Sequence, residues 1–197
     1  MFMIKVITPE TNHPKEGGIL SALVSIYNCT IHIRKPRFTA DQYKKYLHDH
    51  NQLLSHFVLH EHHSLAKEFP VMGVHLKELD RINPAQVHPD IKIISTSIHS
   101  IADAGNLSHP FEYIFYSPLF QSISKENYGT NNSLADLKKT VSELKEQTGI
   151  PIIGLGGIYE ANIDLVKKSG FDGAALLGAV WVQSDPLAAF GRIASMI

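Results

Sequence analysis

Eight short apolar runs, helical patterns between most of them, and glycine-rich ends on the last two runs predict an α/β fold: a (β/α)8 TIM barrel, single domain, over residues 1–197. The runs are 4–8, 31–34, 57–60, 73–76, 91–95, 112–116, 150–154 and 173–177. Short apolar runs of this kind read as strands buried on both faces, which a parallel sheet covered by helices requires. Strands joined by helices pair in parallel, and right-handed crossovers close eight of them into a barrel. The alternative is an open doubly wound sheet, which usually carries its glycine-rich loop after the first strand. This chain has none there.

The elements follow in order. Residues 4–8 form the first strand. In the second, His32 and Arg34 alternate with Ile31 and Ile33, so both polar side chains face one way. A helix over 39–48 carries Tyr43, Tyr46 and Leu47 at helical spacing, with Thr39 as its N-cap. Four strands then follow, at 57–60, 73–76, 91–95 and 112–116. The helix over 133–148 places Leu134, Leu137, Val141 and Leu144 on one stripe and stops at Gly149 and Pro151. After the strand 150–154, a helix over 159–169 turns Ile163 and Val166 inward and stops at Gly170. The strand 173–177 completes the set.

Composition narrows the class of function. With 18 basic and 19 acidic residues and a net charge of −1, no global field favours nucleic acid or an anionic membrane. No apolar run approaches the roughly 20 residues of a membrane span. The single Cys29 excludes an internal disulfide and fits a reducing compartment. The first residues lead into a strand without a signal-peptide pattern. These features predict a cytoplasmic protein acting on small molecules, with homo-oligomer formation left open. Twelve histidines are many, and point to chemistry or metal binding.

Barrel chemistry sits at the carboxyl ends of strands. Reading those ends gives His32 and Arg34, then His60 and Glu61, His75 and Asp80, Ser97 and His99, and the loop from Ser117 through Lys125. The last two strands end in Gly154-Leu155-Gly156-Gly157 and Leu176-Leu177-Gly178. Such glycines expose backbone N–H groups that can close on a phosphate, or they serve only as tight turns. The run His60-Glu61-His62-His63 fails metalloprotease spacing, because Ser64 stands where the second histidine of that motif belongs. Its His62 and His63 read as solvated residues opening a helix. Glu61 with Asp80 makes a better set for a hard cation such as Mg2+, or an ordinary exposed pair. Ser122 and Ser124 can donate hydroxyls to phosphate, and Lys125 supplies a mobile positive charge unless it is only a solvated loop residue.

Together these residues resemble the thiamine phosphate synthase and thiazole tautomerase family of (β/α)8 proteins. The resemblance rests on Ile31-His32-Ile33-Arg34-Lys35, Gly73-Val74-His75-Leu76, Ser97-Ile98-His99-Ser100, Ser117-Pro118-Leu119-Phe120 with Ser122, Ser124 and Lys125, and the two glycine ends. It implies thiamine biosynthesis: a transferase joins hydroxymethylpyrimidine diphosphate to thiazole phosphate and releases diphosphate. It gives the thiazole phosphate to Ser122, Ser124, Gly156, Gly157, Leu177 and Gly178. The diphosphate half goes to Arg34, Ser97 and Lys125, with His32 and His60 beside it and magnesium on Glu61 and Asp80. Arg34, Lys125 and His32 are the expected catalytic residues.

The departures gather on the diphosphate half. The family's Gln-x-Arg-x-Lys is His32, Arg34 and Pro36 here, and Lys35 as a substitute points to the other face of its strand. The usual Asn-Asp is His60-Glu61, and a common serine is Gly178. Two alternatives stand beside the transferase: a thiazole tautomerase using a histidine base, and a non-catalytic thiazole phosphate binder. Family tautomerases carry a histidine where this chain and the synthases have proline, at Pro118.

Overall fold

The computed structural model describes residues 2–82, 90–107, 109–121 and 132–197. Eight strands close in sequence order into a parallel barrel: β1 (Met3–Ile7), β2 (Thr30–Ile33), β3 (Phe57–Leu59), β4 (Gly73–Leu76), β5 (Ile93–Ile98), β6 (Tyr113–Tyr116), β7 (Ile152–Leu155) and β8 (Gly173–Leu176). The seam pairs Lys5 with Ala175 and Val6 with Leu176. The helices are α1 (Glu16–Tyr27), α2 (Ala40–Asp49), α3 (Glu78–Ile82), α4 (Leu134–Thr148), α5 (Ile163–Lys168), α6 (Gly178–Trp181) and α7 (Pro186–Ala194). Among the described residues, no helix is long and apolar enough to cross a membrane.

Local chemistry sets the helix ends. The Thr39 hydroxyl accepts from Gln42 N–H while the Gln42 side chain accepts from Thr39 N–H, a reciprocal cap that starts α2. Ser133 and Asp136 repeat the device for α4, which ends on Gly149 at φ +65°. The helix expected from residue 159 starts only at Ile163. Asn162 accepts from Tyr159 N–H at 2.8 Å and donates to Gly157 O at 2.9 Å, holding the preceding residues in a turn. α1 has no counterpart in the sequence reading, because Gly17 and Gly18 weaken the helical signal at its start. β5 lies about two residues later than its apolar run suggests, with a register irregularity between Val74 and His75.

Packing divides into two layers. Between barrel and helices lie Leu20, Leu23, Ile31, Ile33, Phe57, Leu59 and Phe190, all essentially inaccessible. Inside the barrel a smaller apolar set, Ile7, Val58, Ile94, Tyr113, Phe115, Ile153 and Ala175, forms a second cluster. Strand alternation sends His32, His75 and Ser95 inward among them, also buried. Trp181 closes the seam, its Nε1–H donating to Ile7 O at 2.8 Å.

Candidate active site

A cavity of about 320 Å³ opens at the carboxyl ends of the strands. It brings together seven of the residues that the family resemblance gives to the site: Arg34, His60, Ser97, Gly156, Gly157, Leu177 and Gly178. His75, Lys77, Phe115 and Pro118 complete much of its wall.

The glycine wall is shaped by the segment after β6. Leu119 N–H donates to Leu155 O at 2.9 Å and Phe120 N–H to Gly156 O at 3.1 Å, so this segment runs along the end of β7. Asn132 Nδ2 also donates to Leu119 O, at 2.8 Å. Gly157 sits at φ +64°, and a Cβ there would lie 2.2 Å from Gln121 O. Only glycine suits both its backbone angle and the close approach. Ser122, Ser124 and Lys125 lie outside the described residues.

Arg34 reaches the opposite wall. Its guanidinium pairs with Glu10 at 2.6 Å, which holds the head at the cavity rim, and the Arg34 backbone N–H donates to Thr8 Oγ1 at 2.9 Å. Lys35 turns away, as strand alternation requires. Its ammonium is inaccessible, 2.8 Å from Glu16, and Tyr46 Oη–H donates to the same carboxylate at 2.7 Å. It therefore does not replace the family lysine in the cavity.

Beneath the floor lies an imidazole network. His32 Nδ1 is 2.9 Å from His60 Nε2, and His32 Nε2 is 2.7 Å from Tyr113 Oη. His75 sits between two hydroxyls, Ser95 Oγ at 2.8 Å from Nδ1 and Ser97 Oγ at 3.0 Å from Nε2. The rings of His60 and His75 stack at 4.1 Å. Burial holds His32 and His60 well below the ordinary imidazole range, and pushes His75 down to about 3. Repulsion from neighbouring rings, which for His75 means His63, and from nearby cations adds to this. All three are neutral at physiological pH. His32 lies outside the cavity lining, behind His60, His75 and Phe115, which places it behind the site.

Glu61 and Asp80 also stand back from the cavity lining. Glu61 Oε2 accepts from Lys35 N–H at 2.9 Å. Its Oε1 is buried and lacks an aligned hydrogen-bond donor, although Lys77 Nζ lies 2.8 Å away. Asp80 is half-buried on α3 and acts electrostatically on His63. His62 and His63 are half-buried, not solvated. His62 takes φ +50° and its Nε2–H donates to Phe38 O at 2.9 Å, and His63 opens a 3-10 turn.

Several functional neighbours escaped the sequence reading. Glu10 follows β1, where the strand-end rule would have found it. Tyr113 and Phe115 read as ordinary strand residues, and only closure of the barrel turns them toward the histidines.

A closed parallel barrel with a polar cavity at its carboxyl rim defines a (β/α)8 protein whose site lies where barrel enzymes carry theirs. Glycine-ended β7 and β8 narrow that class further. The chain belongs to the thiamine monophosphate synthase family, whose model matches residues 7–180. A thiamine-phosphate synthase of Desulfitobacterium hafniense (strain DSM 10664 / DCB-2) is 32% identical over 137 residues, covering 67% of this chain and 63% of the relative. One from Vibrio campbellii is 33% identical over 124 residues, covering 59% and 57%. The matched region thus spans 63% or less of these curated relatives' own length. Among solved structures, thiamine phosphate pyrophosphorylase from Bacteroides thetaiotaomicron has a TM-score of 0.76 at 27% identity, covering 100% of this chain and 97% of that one. The corresponding protein from Pyrococcus furiosus, at TM-score 0.78 and 22% identity, covers 99% and 95% and shares the fold.

Proposed function

We propose that this chain is a transferase of thiamine biosynthesis, joining hydroxymethylpyrimidine diphosphate to thiazole phosphate with release of diphosphate. One observation carries the reading. The glycine wall of β7 and β8 faces Arg34, His60 and Ser97 across a single cavity of about 320 Å³, within the size of ordinary small-molecule sites. Described residues that the resemblance gives to each half thus line one cavity, which supports the reading. Pro118 in the wall supports the synthase over the tautomerase, which carries histidine there.

In this reading Gly156, Gly157, Leu177 and Gly178, with Ser122 and Ser124, hold the thiazole phosphate. Arg34 and Lys125 hold the diphosphate. The C–O bond to the pyrimidine methyl carbon breaks, and its electron pair leaves with the diphosphate. The thiazole nitrogen lone pair then forms the new C–N bond. Arg34, steadied by Glu10, is aimed at the departing charge before the reaction begins, so little reorganisation is needed. His60 and His75 line the wall beside Arg34 as neutral rings. Ser97, held by His75, offers a hydroxyl on the same wall. His32 positions His60 through its ring nitrogen.

Magnesium fits the acids present. Glu61 Oε1 is a buried carboxylate oxygen without an aligned donor, and Lys77, its cationic neighbour, is exposed enough to swing aside. Glu61 and Asp80 would hold the ion, which supplies charge neutralisation for the diphosphate. The lone thiol, Cys29, and the biosynthetic role support a cytoplasmic location.

The test is turnover of the two substrates with magnesium chloride, read as thiamine phosphate formed and diphosphate released. Equimolar formation of both products is expected. Absence of product at saturating substrates would overturn the transferase reading.

A further inference from the structure

Three imidazoles from adjacent strands meet at the cavity, two in its wall and one behind, and the transferase reaction needs no more of them than hydrogen bonding. His32 of β2, His60 after β3 and His75 of β4 each present a ring nitrogen within 4.8 Å of the others. Two of the rings are already held from behind. His32 Nε2 is engaged by Tyr113 Oη at 2.7 Å and His75 Nδ1 by Ser95 Oγ at 2.8 Å. Ligating histidines usually carry such an outer partner on the nitrogen that does not bind the metal. The arrangement leaves His32 Nδ1, His60 Nε2 and His75 Nε2 as the inward set.

We propose that these three nitrogens form a site for a divalent transition ion of the zinc class, with its fourth position turned toward the cavity. The donor set decides the metal. Neutral imidazoles suit zinc, cobalt or copper, whereas magnesium takes oxygens, so this site is chemically distinct from the pair Glu61 and Asp80. One pair of nitrogens already stands near the spacing that coordination requires. Ligand nitrogens about 2.05 Å from a tetrahedral ion stand about 3.3 Å apart. His32 Nδ1 and His60 Nε2 stand 2.9 Å apart. Binding exchanges that contact, and the Ser97 contact to His75 Nε2, for metal bonds. It draws the most distant nitrogens inward by up to about 1.5 Å through ring rotation.

The fourth position follows from the walls. His60, His75 and Ser97 line the cavity while His32 lies behind them, so an ion held by all three meets the cavity on one side. Three protein ligands with one open position are the pattern of zinc sites that act on ligands, not of sites that only hold a fold. The open position would take water, or an anionic oxygen or ring nitrogen of a bound small molecule.

The experiment uses the full chain, freed of metal with a chelator and titrated with cobalt, zinc and magnesium chlorides. Cobalt should bind at one equivalent, give the visible absorption of a four-coordinate nitrogen site, and be displaced by zinc but not by magnesium. Tyr113→Phe, which removes one outer hydroxyl, should weaken binding about 10- to 100-fold. His75→Gln should abolish the spectrum. Glu61→Gln, and His48→Gln on the exposed face of α2, should leave it unchanged. Should His75→Gln fail to fold, imidazole nitrogen NMR of the unsubstituted chain reads the same point: zinc must shift His32, His60 and His75 together. No cobalt spectrum at about 100 μM metal, equal binding in Tyr113→Phe, a spectrum surviving in His75→Gln, loss of the spectrum in Glu61→Gln, or zinc-induced shifts confined to other histidines would each overturn the proposal. These outcomes are independent of transferase turnover.

Discussion

Replacing Lys35 with methionine separates a structural lysine from a functional one. Its ammonium is inaccessible and lies 2.8 Å from Glu16 Oε1 and 2.9 Å from Oε2, with Thr11 O at 3.3 Å. Glu16 in turn accepts from Tyr46 Oη–H and from His13 N–H. Lys35→Met leaves a buried carboxylate without its cation, a change that costs about 3–5 kcal/mol. With a urea slope of about 2 kcal/mol/M, the unfolding midpoint should fall by about 1.5–2.5 M. The single Trp181, buried at the β1–β8 seam, supplies the fluorescence signal. Adding Glu16→Gln should restore about 1–3 kcal/mol, because the amide keeps an acceptor for Tyr46 and no longer strands a charge. KM for both substrates should stay within about twofold, since a lysine outside the cavity contributes nothing to binding energy that KM reads. A Lys35→Met chain with wild-type stability and no turnover would refute this account and place the lysine in the chemistry.

Four further outcomes follow. His32, His60 and His75 are held below the ordinary imidazole range, so below about pH 6.5 the unfolded chain takes up protons that the native one refuses. Stability is full above that pH and should fall on acidification by about 1.4 kcal/mol per unit for each histidine, and urea midpoints at pH 7.5, 6 and 5 with and without His75→Gln check the share of one ring. Gly157→Ala, at φ +64° and 2.2 Å from Gln121 O, should cost about 3 kcal/mol and weaken thiazole phosphate binding more than tenfold, measured by melting and calorimetry. Glu61→Gln should raise the magnesium needed for half-maximal turnover at least about tenfold, and an unchanged magnesium curve would remove Glu61 from the metal site. Lys125→Ala should reduce turnover strongly while thiazole phosphate Kd stays within about threefold, and loss of thiazole binding alone would reverse the assignment of the two halves.

The barrel was legible because its signals are local. Thr39 and Ser133 mark their helices by their own side chains, and the apolar run 73–76 coincides with β4. The glycine ends and the alternation of His32 with Arg34 likewise stand in the order of residues. What sequence could not supply was depth. His32 and Arg34 point the same way along one strand, yet one lies behind the cavity and the other at its rim. That difference is set by the barrel's width and by Tyr113 and Phe115 of β6, a strand far along the chain. The neutrality of the histidines has the same origin, since it depends on burial that no short window of sequence records. β5 shifted because pairing with β4 fixes its register, and α1 was hidden by two glycines that tertiary packing outweighs.

The segment after β6 is fastened to β7 by Leu119 and Phe120, and Asn132 returns to Leu119 on the far side of residues 122–131. Leu119 is thereby a shared anchor: its N–H is tied to the end of β7 and its carbonyl to Asn132, which lies just ahead of α4. One residue thus couples the β7 end of the cavity to the approach of α4, so a substitution that shifts the Leu119 backbone moves the cavity wall and a helix of the outer layer together.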